Sequence, residues 1–408
     1  MANCLQTRDI IQWIGDCAAN PILAYVCRLW YEILHGQCIQ LYRIGDGRPL
    51  TSMLQHMLCF APTAHHISIE FGEACFGYRE DAETCMLSTL AHSLLEGPRH
   101  HHLRTLQLSL RVADQHDNVT IPMTIWHPIV RILNLYSTAN NSLRELMLHD
   151  GGRGMEMVWS MWARAIMRLL PFKRLRTLHV VVDSQRLLFN DRDCLRLVAH
   201  DAMFHGVEDF FIRLPTFVAF QWVKEIMHEK AQRPALAISA MRILTVDVSG
   251  GRNMMKPSIA EHIFNMGIQI CPQLRELNVS AHTNQHDHPQ RSIIDESYLS
   301  RCIHLHSVRM DVSATRASSQ RFAILLHVLL ALPVLVNVEI VASDNNIADD
   351  GLEMPTKAAE YACKRTLQVC MIDVRDNHVS SMHAARWRDA LLSQLDVVRD
   401  ITIQTNCA

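Results

Sequence analysis

The residues best suited to chemistry are the histidines. The chain has 24 of them, and they crowd in three places: His100-His101-His102, His286-Asp287-His288 and Cys302-x-His304-x-His306. Imidazole and thiolate are ready zinc ligands, but a structural zinc site takes ligand pairs at short spacing, and no C-x-x-C pair accompanies any of the three groups. They read as loop histidines, and no metal site is expected. The run Ser343-Asp-Asn-Asn-Ile-Ala-Asp-Asp-Gly351 is rich in oxygen ligands. Its glycine and acids do not follow the order of a twelve-residue calcium loop, so it reads as a turn whose Asn and Asp side chains bond nearby backbone. Gly250-Gly251 follows a strand-like run and reads as turn residues rather than an anion cradle. A phosphate-binding G-x-x-x-x-G-K-[ST], a dinucleotide G-x-G-x-x-G, an H-E-x-x-H pair and a G-x-S-x-G elbow are all missing from the sequence. No catalytic residue and no cofactor are therefore expected, and the chain reads as a non-enzyme.

Composition narrows the class further. With 408 residues, 49% hydrophobic and 20% charged, there is ample apolar material for a large core, and disordered or collagen-like classes do not fit. The 39 Lys+Arg against 41 Asp+Glu leave a net charge of -2, so no global field favours nucleic acid or a membrane surface. Thirteen scattered cysteines, an odd number, read as reduced and buried thiols of a cytoplasmic or nuclear protein. The opening Met-Ala-Asn-Cys-Leu-Gln-Thr-Arg-Asp lacks the pattern of a secretory signal. The longest apolar run, 322–336, contains His327 and Pro333 and falls short of the roughly 18 residues a membrane span needs.

What organises the chain is a repeat. A motif L-x-x-L-x-L is clearest at Leu103-Arg-Thr-Leu106-Gln-Leu108, Leu143-Arg-Glu-Leu146-Met-Leu148, Leu175-Arg-Thr-Leu178-His-Val180 and Leu274-Arg-Glu-Leu277-Asn-Val279. Weaker copies start at Ala64, Val207, Met241, Leu305, Leu335, Leu367 and Val398, making eleven, and successive starts lie 30 to 40 residues apart. Alternating apolar residues inside each copy predict a half-buried strand. Between copies, Leu87, Leu90, Leu94 and Leu95 are spaced as a helical stripe. So are Trp159, Trp162, Ile166, Leu169 and Leu170, and again Phe322, Leu325, Leu326, Leu329 and Leu330. Pro171, Pro272 and Pro333 fall where such helices must stop. Each unit is read as strand, loop, helix and turn, stacked on its neighbours with parallel strands on a concave side and helices on a convex one.

This pattern resembles the leucine-rich-repeat fold over roughly residues 60 to 408, in the looser version found in F-box proteins. The Asn or Cys that often follows the strand in that family does not recur regularly here. Residues 1 to 45 carry no repeat and read as short amphipathic helices, with Ile10, Ile11 and Ile14 marking one and Leu23, Val26, Cys27 and Trp30 another. Val26-Cys27-Arg28-Leu29-Trp30 resembles the end of an F-box, although the usual Leu-Pro opening appears only as Leu5-Gln6. The expected architecture is thus α/β: a small all-α F-box-like unit over 1–45, a linker over 46–63 and a leucine-rich-repeat solenoid over 64–408. The resemblance implies that Leu5, Ile10, Ile11 and Leu23 bind a Skp-type adaptor of a cullin ubiquitin ligase, while the array holds a protein substrate. A repeat scaffold with an N-terminal helical cap and no ligase connection stands as the alternative.

Residues between the leucines should point out of the sheet, which names a recognition face by counting. Its candidates are Met147, His179, Phe211, Arg213, Asp247, Glu276, Arg309, Asp311, Glu339 and Asp373. The acids gather in the later strands, so a locally negative surface and a basic partner segment are expected there.

Overall fold

A computed structural model describes residues 39–44, 66–71, 104–110, 144–150, 175–182, 206–232, 240–249, 259–281, 302–315, 317–352, 366–394 and 400–405. Leu5, Ile10, Ile11 and Leu23, the linker 46–63, the stripes at 87–95 and 159–170, Gly250-Gly251 and the two histidine groups at 100–102 and 286–288 lie outside the described residues. The protein is an α/β structure of parallel strands, an arrangement compatible with a repeat solenoid. It divides into two compact units, Met1–Gly206 and Val207–Ala408.

In the first unit, β1 (Ile39–Ile44), β2 (His66–Phe71), β3 (Thr105–Leu110), β4 (Glu145–Asp150) and β5 (Thr177–Val182) pair in parallel, each with the next. In the second, the parallel order is β6 (Asp209–Pro215), β7 (Ile243–Ser249), β8 (Glu276–Ser280), β9 (Ser307–Asp311), β10 (Asn337–Val341), β11 (Val369–Asp373) and β12 (Asp400–Gln404). From β2 onward every strand begins two residues after the start of a repeat motif. β1 was not anticipated: it falls within the stretch 1–45 read as helical, and it adds a strand ahead of the eleven counted copies.

Burial follows the motif. Leu175, Val207, Met241, Leu274, Leu305, Leu335 and Leu367, the first residues of seven copies, are all buried. Within the strands of the second unit the buried side chains form lateral rows, one being Leu244, Leu277, Val308, Val338, Cys370 and Ile401. Four helices cover that apolar side: α1 (Thr216–Gln232), α2 (Ile259–Ile270), α3 (Ser319–Leu330) and α4 (Ser381–Gln394). The third predicted stripe is the inward face of α3, where Phe322, Leu325, Leu326, Leu329 and Leu330 are all buried. Trp222 of α1 packs against Phe210 of β6, their rings 6.3 Å apart.

Two backbone devices repeat along the array. At seven of the described strand entrances, the carbonyl before one strand accepts two N–H groups from the next unit. Arg275 and Glu276 donate to Arg242 O at 2.7 and 3.0 Å, and Val336 and Asn337 donate to His306 O at 2.8 and 2.9 Å. At the strand exit, Thr315, Asn345 and Asn377 take equivalent places, and the residues just before them, Ala314, Asp344 and Asp376, share a left-handed backbone with φ of 54°, 54° and 56°. The Asn345 amide donates to Val312 O and Ala342 O at 3.0 and 2.9 Å, while its carbonyl oxygen accepts from the N–H groups of Thr315 and Ala317. Asn377 repeats this one unit later, donating to Ala342 O and Val374 O and accepting from the N–H groups of Asn345 and Ile347. The oxygen-rich run is thus a backbone-satisfying turn, with buried Asn345 inside it. It leads into a 3-10 turn, Asp349–Leu352, where Gly351 has no room for a Cβ: one would lie 2.6 Å from Ile347 Cγ2 and 3.2 Å from Ser319 Cα.

Leu277→Ala should lower stability by about 2–5 kcal/mol, because the side chain is fully enclosed, whereas Asn278→Ala should cost no more than about 1 kcal/mol. Urea unfolding of the two variants checks the register, and equal losses would contradict it. Asn345→Ala leaves the backbone N–H groups of Thr315 and Ala317 without their acceptor, while Val312 O and Ala342 O keep Thr315 Oγ1 and the Asn377 amide, so it should cost about 2 kcal/mol or more in the same measurement, with the exposed Asn346→Ala close to wild type.

Candidate functional site on the outward face of the strands

Because strand side chains alternate, the positions between the buried ones form a second set of rows on the opposite face. In the first unit, Met147 of β4 and His179 of β5 are direct lateral neighbours and both are half-buried, with Gln107 of β3 on the other side of Met147. Beside them Thr105 Oγ1 donates to Glu145 at 2.9 Å. In the second unit the middle row runs Phe211, Thr245, Asn278, Arg309, Glu339, Met371 and Thr402. The row at the strand ends runs Arg213, Asp247, Ser280, Asp311, Val341, Asp373 and Gln404. Glu276 lies in the row at the strand starts, beside Ile243 and Ser307. The candidates at 211, 213, 247, 276, 309, 311, 339 and 373 therefore share one face of one unit, and those at 147 and 179 share a face of the other.

The expected negative surface is largely offset from within. Arg213 Nε meets Asp247 at 2.6 Å across the β6–β7 pair, and Arg309 meets Glu339 at 3.3 Å across β9–β10. Asp373 is held by Arg375, two residues on, with guanidinium contacts as short as 2.6 Å. The Arg375 hydrogen bonds hold the Asp373 carboxyl below its ordinary range. Asp311 caps its own loop, accepting from Ser313 N and Oγ at 3.0 and 2.7 Å. Glu276 is exposed, yet exposed Arg242 and Arg275 precede β7 and β8 at its end of the sheet. Exposed ion pairs of this kind add little stability and keep a face polar but nearly neutral.

Counting along the motif missed three features of this face. Met371 is 38% exposed in the middle row, an apolar side chain flanked by Glu339 and Thr402. Asn278 donates to Thr245 Oγ1 at 3.2 Å, which fixes the two neutral members of the row. Arg375, the partner of Asp373, sits after the strand, where no alternation rule applies. Its signal in the sequence is only the short D-x-R spacing.

Of the histidine groups, Cys302, His304 and His306 are described. Cys302 is buried and its thiol is pushed up to about 11 by burial, and His306 Nδ1 lies against the carbonyl of His304. Among the described residues, no three His, Cys, Asp or Glu side chains converge to hold a metal ion, and no helix is long and apolar enough to cross a membrane. In comparisons with known proteins, the chain matches no family model and no curated protein.

Asp373 and Asp349 both titrate below the ordinary carboxylate range, Asp373 because of Arg375 and Asp349 because it accepts from the backbone N–H of Ser380. A depressed folded-state pKa stabilises above the unfolded value and is lost as pH falls through the folded one. Wild-type stability should therefore decline from about pH 4 downward. The doubly substituted Asp349→Asn, Asp373→Asn protein should show a shallower decline in urea midpoints over that range, and an unchanged slope would refute the assignment.

Proposed function

We propose that this chain is a non-catalytic protein-binding receptor: a leucine-rich-repeat array that holds a protein substrate on the outward face of its strands. In this reading residues 1–38 form an F-box that docks the Skp-type adaptor of a cullin ubiquitin ligase in the cytoplasm or nucleus. The observation that carries the repeat half is the coincidence of period and structure. Eleven motif copies correspond to eleven strands, each offset by two residues, and in β4 to β12 Leu or another apolar residue is buried while a varied set of side chains lies between. A face assembled from one position of each successive repeat changes its chemistry with every unit, which suits recognition of an extended protein surface rather than a small molecule. The ligase half rests on Val26-Cys27-Arg28-Leu29-Trp30 and the apolar residues Leu5, Ile10, Ile11 and Leu23.

In this reading the partner meets a face on which Asp247, Glu339 and Asp373 already pair with arginines, so apolar and neutral groups such as Phe211 and Met371 contribute more than net charge. Co-purification with a Skp-type adaptor tests the ligase half. The wild-type chain should retain the adaptor, and the pair Ile10→Asp, Ile11→Asp should release it while circular dichroism and the urea midpoint stay unchanged, since two charges at a helical interface resist burial. Retention by that variant would refute the F-box assignment. Removal of residues 1–38, which spares β1, separates the alternatives: a folded array without adaptor binding supports a docking module, and an unfolded one supports a cap.

A further inference from the structure

The helices of the second unit are joined near their first turns by a chain of side chains separate from the asparagine turns at the strand exits. Phe220 of α1 meets His262 of α2 edge-on with ring centroids 5.4 Å apart. Glu261, one residue before His262, accepts from Arg321 Nε of α3 at 2.7 Å. Ser319 Oγ of α3 accepts from Ala348 N at 2.8 Å. Asp349 in turn accepts from Ser380 N and Oγ at 2.7 and 3.0 Å, and Ser380 caps α4 by accepting from His383 N.

One member of this chain reaches further than the others. In a stacked array each unit ordinarily touches only its immediate neighbours. Helix α2 follows β7 and packs against β8, and α3 follows β9, so the Glu261–Arg321 pair ties together two units that are not consecutive along the chain. Both side chains are withdrawn from water, at 7% exposure for Glu261 and 12% for Arg321. Arg321 also stands in the first turn of a helix that has no acid there and whose Ser318 makes no side-chain cap bond. A cation at the positive end of a helix is unfavourable unless an anion offsets it, and Glu261 supplies that anion from two units away. Arg321 commits through Nε, while its buried Nη2 has no hydrogen-bond partner among the described residues. Parting the pair would leave two enclosed charges, so local opening of either helix is penalised by the loss of the other.

We propose that the Glu261–Arg321 pair is a conformational latch that makes the units of β7, β8 and β9 open together rather than one at a time. The three strands contribute Thr245, Asn278 and Arg309 to the middle row of the outward face, so the latch keeps that stretch of the row in register. The inference is independent of what the face binds.

Native-state hydrogen exchange of the full chain, read by mass spectrometry, tests it. In the wild type, peptides covering 243–249, 276–280 and 307–311 should share one protection level and one denaturant dependence, the mark of a common opening. Arg321→Gln should raise exchange about tenfold or more in α2 as well as in α3, and Glu261→Gln should do the reciprocal. An increase confined to the helix that carries the substitution would overturn the latch. If either single variant fails to fold, the apolar pair Glu261→Leu, Arg321→Met decides, because it keeps the packing and removes the charges. The three strands should then acquire separate protection levels, and a common level retained in that variant would overturn the proposal.

Discussion

A five-residue strand has one apolar side, and a single helix is too little to enclose it. Every other feature of this protein follows from that deficit. Leu277 and Val279 reach near-complete burial only because Leu244 and Val246 lie on one side, Val308 and Met310 on the other, and the helix layer behind. Units so dependent must stack in register, since a slip of one residue would turn the buried row to solvent. The shared carbonyl at seven of the described strand entrances, which accepts two N–H groups from the next unit, sets that register in backbone hydrogen bonds.

Stacking creates a second problem at the strand exits, where the chain leaves the sheet for the helix and its buried backbone groups lose their ladder partners. In the units of β10 and β11 an asparagine solves it, because a primary amide offers both donors and an acceptor on a short side chain. In the unit of β9 the same place is held by Thr315, which bonds Val312 O and the oxygen of Asn345. The left-handed residues at 314, 344 and 376 turn the chain there in each case.

The outward face is what remains when both needs are met. Its side chains lie outside the buried rows and differ from repeat to repeat, from Phe211 and Thr245 to Arg309 and Met371. The acids there are conspicuous in sequence, yet Asp247, Glu339 and Asp373 each have an arginine beside them. The face is better described as several arginine–acid pairs beside neutral Thr245 and Asn278 and exposed Met371 than as a negative surface.

Strand positions and the inward set were legible in sequence because both obey a local rule. Period-two burial over six residues shows in Leu274, Leu277 and Val279, or in the wholly helical stripe of Phe322 to Leu330, without knowledge of any neighbour. β1 escaped because the positions in register with Ile67 and Ile69 are held by Gln40 and Tyr42, so no leucine pattern announces it. The asparagine turns escaped as a repeat because Thr315 stands in the same series as Asn345 and Asn377. Which charges meet was beyond a local rule altogether. Arg213 and Asp247 are 34 residues apart, Arg309 and Glu339 are 30 apart, and Glu261 and Arg321 are 60 apart. Such pairs depend on the lateral register between units and on whether a helix start faces its neighbour or the one beyond, and only the stacked tertiary structure decides that.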